Sequence, residues 1–215
     1  MEDLKLVRGI VIKHSPVGEY DYAVNIFTAE AGRISAFAKG ARKPGSKLSG
    51  CVEPFCFGTF KLFVGRSSYT IIEADIDNYF EGFRQDFEAS LYGSILLEIA
   101  DYYTRENAED KELLNLLYIS LKALLNKNIP NRLVKCIYIL RALLIEGEYP
   151  GIPGRQLLSG SAIHAMEYIS SSELTRLYTF NVGEDVLCEL ESVTADYVSR
   201  FIDRPIKSME MLEVL

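Results

Sequence analysis

The chain changes its hydrophobic rhythm near residue 80. Before that point apolar and polar residues alternate in short runs, the two-residue period of strands. Five runs stand out: Leu6–His14, Tyr20–Thr28, Arg33–Lys39, Cys56–Val64 and Tyr69–Ile76. Turn-forming stretches separate them: residues 15–18, 30–32, 40–50 and 65–68, rich in Gly, Pro and Ser. Within Arg33–Lys39, Ile34, Ala36 and Ala38 share one face, opposite Arg33, Ser35, Phe37 and Lys39. In the fourth run Gly58, Phe60, Leu62 and Val64 share a face. In the fifth, Ile72, Ala74 and Ile76 are expected to point at the core. Five short strands in about 80 residues suit a small closed barrel of the OB type better than a sandwich, which needs about seven.

After residue 80 the period lengthens to that of helices. Phe87–Thr104, Glu109–Asn126, Asn131–Glu146 and Glu184–Ile202 carry apolar stripes, and Ser161–Ile169 and Ser172–Leu177 predict shorter helices. Pro130 precedes the third long helix and Gly147 follows it, both common at helix ends. The expectation is an α+β protein: a five-stranded OB-fold barrel over residues 1–80 and an all-helical domain over 81–215. There is no alternating strand–helix order, so a parallel nucleotide-binding sheet is excluded. No stretch is long and apolar enough to predict a membrane span, and the acidic start does not read as a secretory leader, so the cytoplasm is expected.

Composition alters the picture at one place. The net charge of −7 argues against nucleic acid as an average, but it is unevenly spread. Residues 1–80 carry ten Lys/Arg against nine Asp/Glu, and Ala31–Val52 holds five bases and no acid. The potential near that segment is therefore positive. Gly40–Lys47 superficially resembles a phosphate loop, but Ser and Lys stand in the wrong order and no helix follows. Lys39, Arg42, Lys43 and Lys47 fit either a solvated, flexible surface loop or a clamp on DNA phosphates. Arg33 and Phe37 on the adjoining strand would add a charge and a stacking ring.

No catalytic motif is found, so no enzyme is expected. A pocket joining His14 or His164 to a carboxylate and a hydroxyl would point instead to a hydrolase. Glu98, Asp101, Glu106 and Glu109 read as solvated helix surface. Cys51, Cys56, Cys136 and Cys188 lack zinc-ligand spacing and read as buried free thiols; no metal or other cofactor is expected.

Four stretches resemble the RecO family of DNA repair and recombination mediators. They are Gly9–His14 with Gly18–Asp21; Phe27–Thr28 with Gly32–Arg42; Glu53–Phe55 with Gly65–Arg66 and Tyr69–Thr70; and Arg204–Ser208 with the following Met209–Leu212. The resemblance implies binding to single- and double-stranded DNA, annealing of complementary strands, and loading of recombinase onto strands coated with single-stranded-DNA-binding protein. It also implies RecR and the acidic tail of that coating protein as partners, at the nucleoid. By position, Arg33, Lys39 and Arg42 inherit DNA contact. Arg132, Lys135 and Arg141 are candidates for the acidic tail, or else form surface ion pairs. Many family members carry a four-cysteine zinc module where this chain runs from Pro150 to Ser161 without a cysteine. An adaptor that binds only protein, its DNA grip weakened, is the alternative.

Overall fold

The five strands fall where alternation places them: β1 (Leu4–Val17), β2 (Asp21–Thr28), β3 (Gly32–Ala38), β4 (Phe57–Val64) and β5 (Tyr69–Asn78). The computed structural model describes residues 4–66, 68–154 and 157–212. The strands close into a barrel in the order β1-β2-β3-β5-β4, antiparallel except for β3 with β5. This is the five-stranded OB arrangement. Its interior is filled by Val7, Val11, Val24, Ile26, Ile34, Ala36, Phe60 and Leu62. Gly9 of β1 faces Gly58 of β4, and a Cβ on either would lie 2.2 or 2.1 Å from a neighbouring carbonyl oxygen, so the wall coils tightly only without those side chains.

One strand face departs from expectation. Ile71 is buried and Ile72 exposed, although Ala74 and Ile76 pack on the core. The pairing jumps from Lys61↔Glu73 to Leu62↔Ile71, so a bulge at Ile72 reverses the parity and turns that side chain out.

The helices are α1 (Phe87–Tyr103), α2 (Lys111–Leu124), α3 (Asn131–Ile145), α4 (Gly160–Ser171), α5 (Glu184–Phe201) and α6 (Lys207–Leu212). The expected Ser172–Leu177 helix is reduced to a single 3₁₀ turn over Leu174–Arg176. The chain divides into two compact units, Met1–Glu81 with Ala100–Leu114, and Gly82–Ile99 with Asn115–Leu215. In the first, Arg105–Asn107 runs beside the start of β3, where Gly32 has φ +59° and a Cβ would come within 2.0 Å of the Arg105 carbonyl oxygen. In the second, α3 packs against α4 and α5 and is buried from Leu133 to Leu143 except at Lys135. Its end is a Schellman motif: Glu148 N donates to Leu143 O and Gly147 N to Leu144 O, with Gly147 at φ +74°.

Two of the four cysteines are not buried. Cys51 is half-exposed and Cys188 exposed, while Cys56 and Cys136 lie inside. Burial pushes the Cys136 thiol up to about 11. No cluster of potential metal ligands exists among the described residues.

Candidate nucleic-acid interface

The β3–β4 connection is a string of tight turns rather than a flexible loop. Backbone bonds join Ala41 N to Ala38 O, Lys43 N to Gly40 O, Ser46 N to Lys43 O, Ser49 N to Ser46 O and Cys51 N to Leu48 O. Ala41, Leu48 and Val52 point into the barrel core and anchor the loop as a plug. His14 bolts it down: its ring stacks on Tyr22 at 4.3 Å and its Nδ1 lies 3.2 Å from Val52 O, with Glu53 3.8 Å from Nε2. His14 thus has three partners where the sequence offered none.

Because the apolar residues turn inward, the polar ones between them face solvent. Lys39, Arg42, Lys43 and Lys47 are all exposed. Among the described residues none of the four has a carboxylate within 4.0 Å. Two lie beside aromatic rings that sequence reasoning missed. Lys43 is 5.2 Å from the centre of Tyr20 and Arg42 is 5.7 Å from that of Tyr22. Arg42 also donates to Gly18 O at 3.3 Å, and its backbone N–H to Tyr20 O at 3.0 Å, tying loop to β1–β2 turn. The Tyr20 phenol, bonded to Glu19, is held above its usual range and stays neutral. The missed signal was Gly18-Glu-Tyr-Asp-Tyr, where two tyrosines follow a turn glycine.

Arg33 behaves differently. Its Nη1 donates to Asp101 Oδ1 at 3.2 Å and lies 3.4 Å from Asp101 O, and its side chain is 32% exposed. Asp101 is not the solvated surface acid that the sequence suggests; it neutralises Arg33. Phe37 is half-buried, paired across the strands with Ala23. It lines an open groove of about 500 Å³ with Arg33, Ser35, Arg66, Tyr69 and Glu106. The groove exists because β3 and β5 pair only at Ala36↔Tyr69 and Phe37↔Thr70, while Arg105–Asn107 covers only the start of β3.

The helical cations do not form an open basic groove. Arg141 is buried and its Nη1 donates to Ile169 O at 3.3 Å and Ser170 O at 3.0 Å, closing the end of α4. Arg132 is held by Glu184 at 2.6 Å and by Glu191; Lys135 lies 3.3 Å from Glu191. Glu191 is consequently the centre of a charge cluster: burial raises its carboxyl, but Arg132 and Lys135 outweigh it and bring it below its ordinary value. Arg132 and Lys135 are thus engaged in ion pairs, and Arg141 in hydrogen bonds to backbone carbonyls. Glu98, another supposed surface acid, accepts from Lys207 N at 2.7 Å, Ser208 N at 3.1 Å and Ser208 Oγ at 2.5 Å, and so caps α6. That accounts for the terminal Arg-Pro-Ile-Lys-Ser stretch in structural terms.

His164 lies in a cavity of about 630 Å³ with Ser161, Tyr168 and Thr179, and among the described residues no carboxylate lines it.

Two family models match the chain in tandem, recombination protein O N terminal over residues 1–80 and recombination protein O C terminal over 84–152. The chain belongs to the RecO family. Relatives agree along almost the full length. The DNA repair protein RecO of Acetivibrio thermocellus is 28% identical over 239 aligned positions, covering 96% of this chain and 95% of the relative. That of Clostridium perfringens strain 13 is 27% identical, covering 96% of each chain. That of Alkaliphilus metalliredigens reaches 38% identity over 109 residues, 51% of this chain and 44% of its own length. Alignments of 239 positions against a chain of 215 residues mean that RecO relatives carry residues absent here. The C-terminal RecO match stops at residue 152, beside the cysteine-free stretch from Pro150 to Ser161. The barrel that carries the loop cations is therefore the RecO N-terminal domain, and the family role in DNA repair applies to this chain. Among the described residues no helix is long and apolar enough to cross a membrane.

Proposed function

We propose that this protein binds DNA through the plugged β3–β4 loop and the neighbouring barrel wall, and acts as a recombination mediator. In this reading residues 1–80 are the DNA-binding domain and 81–215 the helical domain. The protein anneals complementary strands and helps load recombinase onto strands coated by single-stranded-DNA-binding protein, in the cytoplasm at the nucleoid. RecR and the acidic tail of the coating protein are its partners.

The observation that supports this best is four exposed cations on one anchored loop with no carboxylate of the described residues within 4.0 Å. An anchored loop has already lost its conformational entropy, so phosphate contact costs little further ordering. Phe37 and Arg66 stand on the adjacent wall. Arg33 contributes less charge than its position suggests, because Asp101 offsets it.

The test is anisotropy titration of labelled single-stranded DNA at several salt concentrations. Each phosphate contact contributes roughly −0.7 to the log–log salt slope. Changing Arg42, Lys43 and Lys47 together to Ala should flatten the slope by about 2 and cut affinity on the order of 100-fold at 0.1 M salt. Unchanged binding would remove the loop from the interface. The second reading, a protein-only adaptor, is favoured by the Arg33–Asp101 pair and the net charge of −7. It requires that the unaltered protein bind DNA weakly, with a salt slope well short of the roughly −3 that four phosphate contacts give.

A further inference from the structure

The outer face of β1, β4 and β5 carries large apolar side chains where strand alternation turns them to solvent. Leu6 is 69% exposed, Ile72 50%, Leu4 49% and Phe63 37%. The register gathers them at one end of the three strands. Leu4 lies opposite Phe63 and Leu6 opposite Lys61, and Ile72 is the extra residue of the bulge beside Lys61. The bulge thus re-aims an isoleucine onto an apolar patch. Such a patch rimmed by charge marks an interaction surface. Strand β4 is paired on both sides, so a partner packs against its face rather than its edge. The surrounding charges select the partner. Next along the face, Arg8, Thr59 and Asp75 form one row across β1, β4 and β5. Arg8 reaches across Thr59 to Asp77 at 2.9 Å, and Lys61 stands 3.9 Å from Glu73. The β1 flank is therefore cationic, and the β5 flank, with Glu73, Asp75 and Asp77 exposed, is anionic. A polyanion is repelled at one flank and a basic protein at the other.

We propose that this face joins two copies of the chain in a symmetric, reversible dimer. A twofold axis along β4 lays β1 of each copy over β5 of the other, because β4 lies between them. Arg8 then faces Asp75 of the other copy, twice in the dimer. Leu4 and Leu6 meet Ile72, and Phe63 meets its own image. Arg8 has donors enough to keep Asp77 as well. Lys61 also comes near its image, its charge offset by Glu73 of its own chain. A face three strands wide makes a small interface, below about 1,200 Å² in total, so association is weak. The β3–β4 loop enters β4 at Phe57, about 20 Å from Phe63 at roughly 3.3 Å per residue, so its cations stay open in the dimer. Taken with the DNA-binding reading above, one dimer presents two such loops and holds two strands, as annealing needs. That consequence rests on the DNA-binding reading; the dimer itself does not.

Sedimentation velocity of the full chain from about 1 to 500 µM tests this, a range that covers weak association. The average mass should rise with concentration from one chain towards two. Leu6→Glu should weaken self-association at least about 10-fold, since it sets a carboxylate from each copy against apolar side chains. Arg8→Asp and Asp75→Arg should each weaken it about 10-fold, because each puts like charges together at both contacts. Mixed one to one, these two variants should regain the parent's affinity. The new carboxylate at position 8 meets the new guanidinium at position 75, and the native Arg8–Asp75 pair survives at the other contact. Recovery on mixing also shows that neither variant had lost its fold. A chain that stays monomeric over the whole range would overturn the proposal and leave the face to a different protein. So would a dimer that Leu6→Glu does not weaken, or a mixture of the charge variants as weak as each alone. The loop triple variant should dimerise like the parent, so a failure of DNA binding and a failure of the dimer are read separately.

Discussion

The β3–β4 loop and helix α3 are both basic segments of sequence, and their cations end in opposite states. Lys39, Arg42, Lys43 and Lys47 stay open to solvent, two of them beside tyrosine rings. Arg132 and Lys135 are tied to acids of α5, and Arg141 is sunk into the second unit against the last carbonyls of α4. Residue type is the same; the neighbourhood decides. The loop lies in a stretch of sequence free of acids and is packed on an apolar barrel interior. Helix α3 packs against α5, which brings Glu184 and Glu191 within reach. A cation is available to a polyanion only where the fold brings no carboxylate of its own.

The contrast is broken most forcefully at Arg141. Replacing it with Ala leaves two helix-end carbonyls without their donor and opens a void in the core. We expect a loss of about 3 kcal/mol or more, read from urea unfolding midpoints, because hydrogen bonds to a charged group are worth about 1.5–3 kcal/mol each. DNA affinity of the folded fraction should not change. A variant as stable as the parent but weak on DNA would make Arg141 an interface residue.

Next in size is Glu98→Ala, which strips the cap from α6 and should cost about 1–2 kcal/mol by the same measurement. Neither of these roles was legible in the sequence. Glu98 and Asp101 look like two solvated acids one turn apart; only the closed tertiary structure brings Ser208 to one and Arg33 to the other. Strand and helix positions were legible because burial imposes a period on each element. Ile72 escaped because a bulge shifts that period within a strand whose composition gives no sign of it. The loop cations were legible by the acids missing around them, whereas Tyr20 and Tyr22 were not, since their meeting with Lys43 and Arg42 depends on how the β3–β4 loop folds back to the β1–β2 turn.

Glu191→Gln would convert one region towards the other. It releases Lys135 and most of the hold on Arg132, so non-specific DNA affinity at low salt should rise a few-fold, about 5-fold per added contact at 0.1 M salt. Stability should fall by about 1 kcal/mol, discounted for the partial exposure of the cluster. The pH dependence has a definite sign. The folded carboxyl lies below its ordinary 4.5, so its stabilisation is complete above about pH 4.5 and disappears as acidification carries the pH through the lower folded value. Midpoints measured between pH 3 and 6 should therefore converge for parent and Gln variant at the acid end. Parallel curves would mean that the cluster contributes nothing.

The smallest effect separates two neighbours on β3 and its continuation. Among the described residues Lys39 has no carboxylate within 4.0 Å, and its removal to Ala should flatten the salt slope by roughly 0.7, one contact's worth. Arg33 is already neutralised by Asp101, so Arg33→Ala leaves the partly buried Asp101 without its guanidinium and removes no phosphate contact from the interface. Its slope should match the parent within experimental spread even if affinity falls slightly through the unmasked Asp101. Equal slope changes for the two variants would show that Arg33 exchanges Asp101 for a phosphate on binding, and the rule that an internally paired cation is withdrawn from the interface would then fail at the residue where it is most directly exposed to test.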